Sequence, residues 1–381
     1  MSTISEKMKF DEFGPEKIIE VYDSKIKMHG FLVIDNTALG PGKGGIRMTP
    51  TVSVEEVFRL ARTMTWKCSI AGLRFGGAKS GIVANPRKIS MDEKKALIKA
   101  FARALKPVSP NLYIAAPDVN TGKEDMRWYA EANGSWKSCT GKPESMCYKP
   151  GERCGIPHEF GSTGYGVAVA TRVAAEHAGI DLENSTVAIE GFGNVGSFTS
   201  RFLSEFGVKI VAVSDSKGCI YNPDGLDYKK LLKVKKETRS VINYKPGKKL
   251  SGDKLFGLPI DILIPAALSD SININNMNKI KARIIVEAAN IPTTPGIEEV
   301  FHKIGILVVP DFIANAGGVI SSYAEYKGYH LKKMFTLVEN KIKRNTKIVL
   351  KRSKKENIKP RDAALKTAKE RVRKTMEKKT T

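Results

Sequence analysis

Two spacings of apolar residues run through this chain, and the way they combine changes near residue 162. Before that point, "MHGFLVIDN" is an apolar run between turn formers and predicts a strand. "SVEEVFRLARTMTWK" instead puts Val57, Leu60, Ala61 and Met64 on one helical face. Ser53 and Glu56 stand at capping-box spacing at its start. Ser90 and Glu93 repeat that signal ahead of "ALIKAFARALKP", where Pro107 marks the stop. Residues 1–160 therefore read as one mixed α/β domain. No internal repeat and no low-complexity linker breaks the chain.

From Ser162 the alternation becomes regular. "STGYGVAVATRVAAEHAG" predicts an alanine-rich helix closed by Gly179. "TVAIEGFGNVGSFTSRFLSEFGVKIVAVSD" follows as strand, glycine turn, helix, strand. "DILIPAA", "RIIVEAAN" and "ILVVPD" add further apolar strands. Strands buried on both faces read as unbroken apolar runs, so residues 161–320 predict a doubly wound parallel sheet covered by helices. Residues 321–381 read as C-terminal helices.

Composition narrows the class. A chain of 381 residues with 41% hydrophobic and 27% charged content suits a soluble protein of two domains. Five cysteines are too few for a disulfide-stapled secreted scaffold of this length. "MSTISEKMKF" lacks the apolar core of a signal peptide, and no run of about 18 uncharged apolar residues occurs. The expectation is a cytoplasmic protein with no membrane partner. Residues 331–381 carry 19 lysines and arginines against 5 acidic residues, a large part of the formal charge of +23. These bases are spread along helical patterns such as "AALKTAKERVRKTMEKK", without interleaved aromatics. That pattern reads as a solvated helix face, and no nucleic-acid partner is expected.

The glycine turn carries the first chemistry. Gly191, Gly193 and Gly196 form G-x-G-x-x-G directly after a strand and at the start of a helix. Those glycines permit a tight turn, close approach of a pyrophosphate and close helix–strand packing. The helix N-terminus favours the anion. Asp215 ends the next strand, where a carboxylate can accept hydrogen bonds from an adenosine ribose. A carboxylate there nominally favours NAD, yet Ser216 and Lys217 beside it are suited to a phosphate, so NAD or NADP is expected. Ligands of such sheets sit beyond the carboxyl ends of the strands, which makes Asn290, Asp311 and Asn315 further candidates.

Three lysines stand among glycines or at an element's end: Lys43 in "GPGKGGIR", Lys67 in "MTWKCSIAG" and Lys79 in "RFGGAKSGI". Glycines let a backbone come close to a ligand, and a lysine held there loses water and, with it, part of its basicity. Asp118 follows in "AAPDVNTGKEDMRW". With these residues in view, the chain resembles the glutamate dehydrogenase family of amino acid dehydrogenases, which includes leucine, valine and phenylalanine enzymes. The resemblance spans residues 10–330 through "GPGKGGIR", "TMTWK", "GGAKSGI", "APDVNT", "TGKP", "STGYG", "TVAIEGFGNVG", "VAVSDSKG", "DILIPAAL", "EAANIPTTP" and "PDFIANAGGVISSY", in the family's order.

The resemblance implies roles: residues 1–160 bind substrate and oligomerise, residues 161–320 bind the dinucleotide, and the C-terminal helices of residues 321–381 return to pack on the first domain. Lys79 matches the family's catalytic lysine and Asp118 its proton-transferring aspartate. Lys67 matches the lysine that holds the substrate α-carboxylate. Lys43, beside Gly44, matches the one that holds the side-chain carboxylate in glutamate-specific members, with a serine at the position of Ser322. Thr163, Asn194, Val195, Asn290 and Asn315 fall where the family contacts its cofactor. The implied activity is reversible, NAD- or NADP-dependent oxidation of L-glutamate to 2-oxoglutarate and ammonia by a homo-oligomer, a hexamer in most of the family. A lysine at position 43 favours glutamate over leucine or valine, because a buried amine beside an alkyl chain would go unpaired. A dehydrogenase for another amino acid is the alternative within the class, and a basic nucleotide- or nucleic-acid-binding protein without turnover the alternative outside it.

The resemblance lapses between Gly134 and Gly161, where the family has a glycine-rich stretch and this chain has "GSWKSCTGKPESMCYKPGERCGIPHEFG". Cys139, Cys147, Cys154 and His158 are soft enough ligands for zinc, but without the tight pairs of ordinary zinc modules. The expectation is free buried thiols and no metal; a disulfide belongs to a hyperthermophilic source. Cys68 and Cys219 read as packing residues.

Overall fold

The computed structural model describes residues 8, 10–157 and 160–380, and these form two compact units. The first takes in the chain up to Phe160, Val319–Met334 and the stretch from Lys366 onward. The second comprises Gly161–Gly318 and Phe335–Leu365.

The first unit is built on a mixed sheet. β1 (Lys17–Asp23), β2 (Met28–Asn36), β5 (Gly76–Val83), β3 (Gly42–Lys43) and β6 (Tyr113–Ile114) lie side by side in that order, and β4 (Ile46–Thr49) also pairs with β5. β1 and β2 run antiparallel, as do β2 and β5, whereas β3 and β4 run parallel to β5. Alternate residues of β2 serve two cores. Phe31 and Val33 pack with Val57, Phe58 and Ala61 of α1 (Val54–Ile70). Leu32 and Ile34 pack with Ile98 and Phe101 of α2 (Met91–Ala104) and with Met126 and Tyr129 of α3 (Lys123–Asn133). Period-two alternation across a sheet covered on both faces produces this division.

The capping signals are met unequally. Ser90 and Glu93 form the complete box at α2. At α1 the Ser53 hydroxyl accepts from the Glu56 N–H, but the Glu56 carboxylate pairs with Arg47. A small antiparallel ribbon, β7 (Cys147–Lys149) with β8 (Glu152–Cys154), lies in the stretch where the family resemblance lapses. The C-terminal stretch belongs here too: the Ser69 hydroxyl donates to the Ala368 carbonyl (2.8 Å). Arg371 donates to the carbonyls of Ser69 and Ile70 at the end of α1 (3.0 and 2.9 Å).

The second unit holds a seven-stranded sheet in the order β12-β11-β10-β9-β13-β14-β15. β9 (Thr186–Glu190), β10 (Lys209–Asp215), β13 (Ile262–Pro265), β14 (Ile284–Val286) and β15 (Leu307–Val309) are parallel. The strand order turns back on itself between β9 and β13, the place where such sheets leave a crevice at their carboxyl ends. α4 (Ser162–Ala178), α5 (Asn194–Glu205), α6 (Tyr228–Thr238) and α7 (Pro295–Lys303) accompany the strands. The sheet is α/β and doubly wound, as expected, with one difference. β11 (Gly218–Tyr221) and β12 (Lys248–Leu250) add an antiparallel edge, made by a two-residue turn after Asp215 with Gly218 at φ 140°. A single helical turn at Asp311–Ala314 follows β15, and beyond it come α8 (Gly317–Tyr326), α9 (Leu331–Glu356) and α10 (Pro360–Thr380). Among the described residues no helix is long and apolar enough to cross a membrane.

Candidate active site

In the first unit the sheet gathers basic side chains around one carboxylate. Lys79 lies on the face of β5 that meets α1, between Gly77 and Gly81. A Cβ on Gly77 would sit 2.1 Å from the Thr65 hydroxyl, and one on Gly81 would sit 2.5 Å from Val52. These two glycines thus bring the strand against α1 and against Val52 just ahead of it, a packing role rather than the close ligand approach expected of them. Lys79 Nζ is 2.9 Å from Asp118 Oδ1, and the Arg47 guanidinium donates to Asp118 Oδ2 at 2.8 Å while pairing with Glu56.

Glycines also fix the neighbouring strand. A Cβ on Gly44 would lie 1.7 Å from the Ala78 carbonyl oxygen, and one on Gly45 2.7 Å from Asp118 Cβ. Residues 42–49 can therefore slot between β5 and the segment that carries Asp118. The loop is locked by Thr121, whose hydroxyl accepts from the Asp118 N–H (2.9 Å) and donates to the Ile46 carbonyl (2.7 Å). Lys43, only 1% exposed, donates to the carbonyls of Ala115 (2.6 Å) and Ile114 (3.4 Å).

Burial dominates the electrostatics. It draws the Lys43 amine down to about 7, with Cys139 and Glu325 opposing. It lowers Lys79 as well, against the pull of Asp118. For Asp118 burial acts upward, but Lys79 and then Arg47 outweigh it and hold the carboxyl below its ordinary range. The Cys68 thiol is pushed up to about 12 by burial, with the charges of Lys43 and Lys67 opposing. The structure thus brings Lys43 and Lys67 around one thiol; Lys67 itself is half-buried in the last turn of α1. Ser322 is buried on α8, three residues before Glu325. Glu325 forms a fully buried pair with Lys142 at 2.5 Å.

In the second unit the glycine turn has the stereochemistry its motif requires. Gly191 adopts φ 93°, and a Cβ on Gly196 would lie 1.9 Å from the Gly191 carbonyl oxygen. Gly193, at the N-cap of α5, has nothing within 4 Å of a Cβ and supplies no side-chain cap to the first N–H groups of the helix. Asn194 is exposed, and Val195 and Thr163 are half-buried. Asn290 and Asn315 come together: Asn315 Nδ2 donates to Asn290 Oδ1 at 3.0 Å. Asn290 lies beyond the end of β14, because Ala288 and Ala289 leave the ladder to donate to the Pro265 carbonyl.

Asp215 departs from expectation. Its oxygens already accept from the Lys217 N–H (2.9 Å), the Ser240 hydroxyl (3.1 Å), Lys235 Nζ (2.7 Å) and the Val241 N–H (2.8 Å). The carboxylate does not stand free for a ribose. The antiparallel edge and α6 fold these donors around it.

The cysteine expectation is corrected in part. Cys147 and Cys154, opposite one another in the β7–β8 ribbon, form a disulfide, since direct cross-strand neighbours are close enough to bond. Cys139, Cys68 and Cys219 are free and buried. His158 lies outside the described residues, among which no group of three or more His, Cys, Asp or Glu could hold a metal ion.

Sequence reasoning passed over Arg47, although strand alternation puts it on the same side of its strand as Gly45, toward Asp118. It also passed over the Lys142–Glu325 pair, whose members lie too far apart in sequence for a local motif to announce.

Two family models match the chain. One, described as Glu/Leu/Phe/Val dehydrogenase, dimerisation domain, covers residues 15–134; the other, Glutamate/Leucine/Phenylalanine/Valine dehydrogenase, covers 154–380. A glutamate dehydrogenase of Aeropyrum pernix is 42% identical over 95% of this chain and 91% of its own length. An NADP-specific glutamate dehydrogenase of Saccharolobus shibatae is 42% identical over 82% of this chain and 75% of its own. Among solved structures, the hetero-hexameric glutamate dehydrogenase of Thermus thermophilus, in a Leu-bound form, superposes with a TM-score of 0.81. It is 27% identical, and the match covers 95% of this chain and 89% of that one.

Proposed function

The chain belongs to the glutamate/leucine/phenylalanine/valine dehydrogenase family, and we propose that it oxidises L-glutamate reversibly to 2-oxoglutarate and ammonia with a nicotinamide cofactor. The observation that carries this reading is the pairing of buried Lys79 with Asp118 beside the fully buried Lys43. Relatives named glutamate dehydrogenase support the substrate.

Each residue has work that follows from its chemistry. Lys43 and Lys67 hold the two carboxylates of the substrate and thereby fix its Cα, which is the proximity contribution to the rate. Lys43 has two of its three donors on backbone carbonyls and can aim the third at the γ-carboxylate. The uncapped N-terminus of α5 and the close-packed glycines fit a cofactor pyrophosphate, with Asn290 and Asn315 serving the nicotinamide end. A nicotinamide bound there would supply the hydride acceptor for the substrate Cα, whose oxidation gives an imine. Lys79, kept below its ordinary basicity, withdraws a proton from water as that water attacks the imine carbon. Asp118 relays protons to and from the substrate nitrogen, and Arg47 keeps its carboxylate oriented.

For the cofactor the reading is NADP. Asp215 has no free acceptor for a ribose diol, and it fixes Lys235 where a 2′-phosphate would find a cation, with Lys217 exposed next to it. The assembly proposed is a homohexamer; the hetero-hexameric Thermus relative supports the number of subunits. Initial rates with glutamate, leucine, valine and phenylalanine, each with NAD and NADP at matched concentrations, test the reading. A preference for leucine would reject the substrate, and a preference for NAD the cofactor.

A further inference from the structure

The second unit contains a buried charge cluster that the proposed chemistry does not use. Arg361, near the start of α10, meets three carboxylates at once. Its Nη2 is 2.7 Å from Glu287 Oε2 and its Nη1 2.9 Å from Asp311 Oδ1. Its Nε donates to both oxygens of Glu298 at 2.7 and 2.9 Å. Side-chain exposure is 16% for Arg361 and 0%, 8% and 3% for Glu287, Asp311 and Glu298. One guanidinium cannot neutralise three carboxylates, and burying the remaining charge is costly. Glu287 Oε1 and the hydroxyl of Thr293 are both buried with no other hydrogen-bond partner among the described residues, and the hydroxyl lies within reach of the carboxyl. A hydrogen bond between them satisfies both atoms whichever supplies the proton, and a proton on Oε1 would also remove one of the excess charges.

The cluster is wired to the asparagine pair. Glu287 Oε2 also accepts from the Asp311 N–H (3.0 Å), and Asp311 Oδ2 accepts from the N–H of Ile291, next to Asn290 (3.0 Å). The Asp311 carbonyl accepts from the Asn315 N–H (2.8 Å). We propose that Arg361 and a protonated Glu287 form a brace that holds Asn290 and Asn315 in the shape that receives the nicotinamide end of the cofactor. Losing that proton loosens the site. The inference rests on the proposed function, and it makes Glu287 and Arg361 positioning residues.

The surroundings agree. Burial raises Glu287 to about 8; Arg361 opposes this, and Asp311 and Glu298 add to it. The other charged or titratable groups around the cluster are Lys359, which pairs with Glu299 and Asp362 and whose charge also acts on Glu298, and His302 of α7.

Titration of the full-length protein with reduced nicotinamide cofactor, followed by fluorescence from pH 6.5 to 9.5, tests this without turnover. Wild type should bind about tenfold more weakly at pH 9 than at pH 7. Glu287→Gln, which keeps the neutral form, should match wild type within twofold at pH 7 and stay flat. Arg361→Gln should weaken binding at least tenfold while changing kcat at saturating cofactor much less. The proposal is overturned if Glu287→Gln binds as poorly at pH 7 as Glu287→Ala, or if its pH profile overlays that of wild type. If wild type shows the expected profile yet does not oxidise glutamate, the brace stands and the substrate reading fails. If wild type binds no nicotinamide cofactor at any pH, both fail.

Discussion

The two units face the same electrostatic problem with opposite signs. In the first, burial strips water from amines, and Lys43 and Lys79 lose basicity. In the second, burial strips water from carboxylates, and Glu287 gains it. In each unit the low-dielectric interior favours the neutral form, and a single opposite charge, Asp118 for Lys79 or Arg361 for Glu287, resists it. The pH consequences diverge. Lys43 titrates near 7 in the folded chain against an ordinary 10.5, so the unfolded chain binds more protons across that window and stability from this group rises with pH. Glu287 titrates near 8 against an ordinary 4.5, so the folded chain holds more protons in between. Its contribution is full below that window and is lost as pH climbs through 8.

Five changes would break or sharpen that contrast, and the largest belongs to the chemistry. Lys79→Ala should cut glutamate turnover by about 10²–10⁴-fold while leaving cofactor affinity, a property of the other unit, within about twofold. A comparable loss of cofactor affinity would end the separation of roles. Lys43→Leu should lower kcat/KM for glutamate by about 10- to 100-fold relative to an uncharged amino acid of similar length, as loss of a charge-assisted hydrogen bond implies. An unchanged ratio would show that another group reads the γ-carboxylate. Smaller effects are expected in thermal unfolding between pH 6 and 9. Lys43→Met should flatten the rise above pH 7 and Glu287→Gln the decline toward pH 8, each by a few degrees; parallel slopes in both variants would contradict the opposed signs. Smallest of all, reducing Cys147–Cys154 should leave cofactor affinity unchanged, because the ribbon belongs wholly to the first unit.

Much of this architecture was legible in local pattern. Helix α2 appears with its capping box complete, and the strand read in "MHGFLVIDN" is β2 to the residue. The glycine turn was readable because its steric demands lie within six residues. Legibility failed where a partner is distant in sequence. Glu56 leaves its capping role because Arg47 claims it from another strand. Asp215 ends a strand as expected, but donors 20, 25 and 26 residues later enclose it. Arg361 reaches Glu287 across 74 positions, a separation to which no periodicity points. Lys79 among glycines drew attention for a sound reason, the loss of water, while the glycines themselves answer to the neighbouring helix.

The unit that begins the chain also contains its last helical stretch, since residues from Lys366 onward pack against α1 through pairs nearly 300 positions apart, such as Ser69 with Ala368. During synthesis the first sheet would emerge from the ribosome long before the helix that finishes it. Its assembly is therefore a late, non-local event, with apolar surface left uncovered while the second unit is still being made.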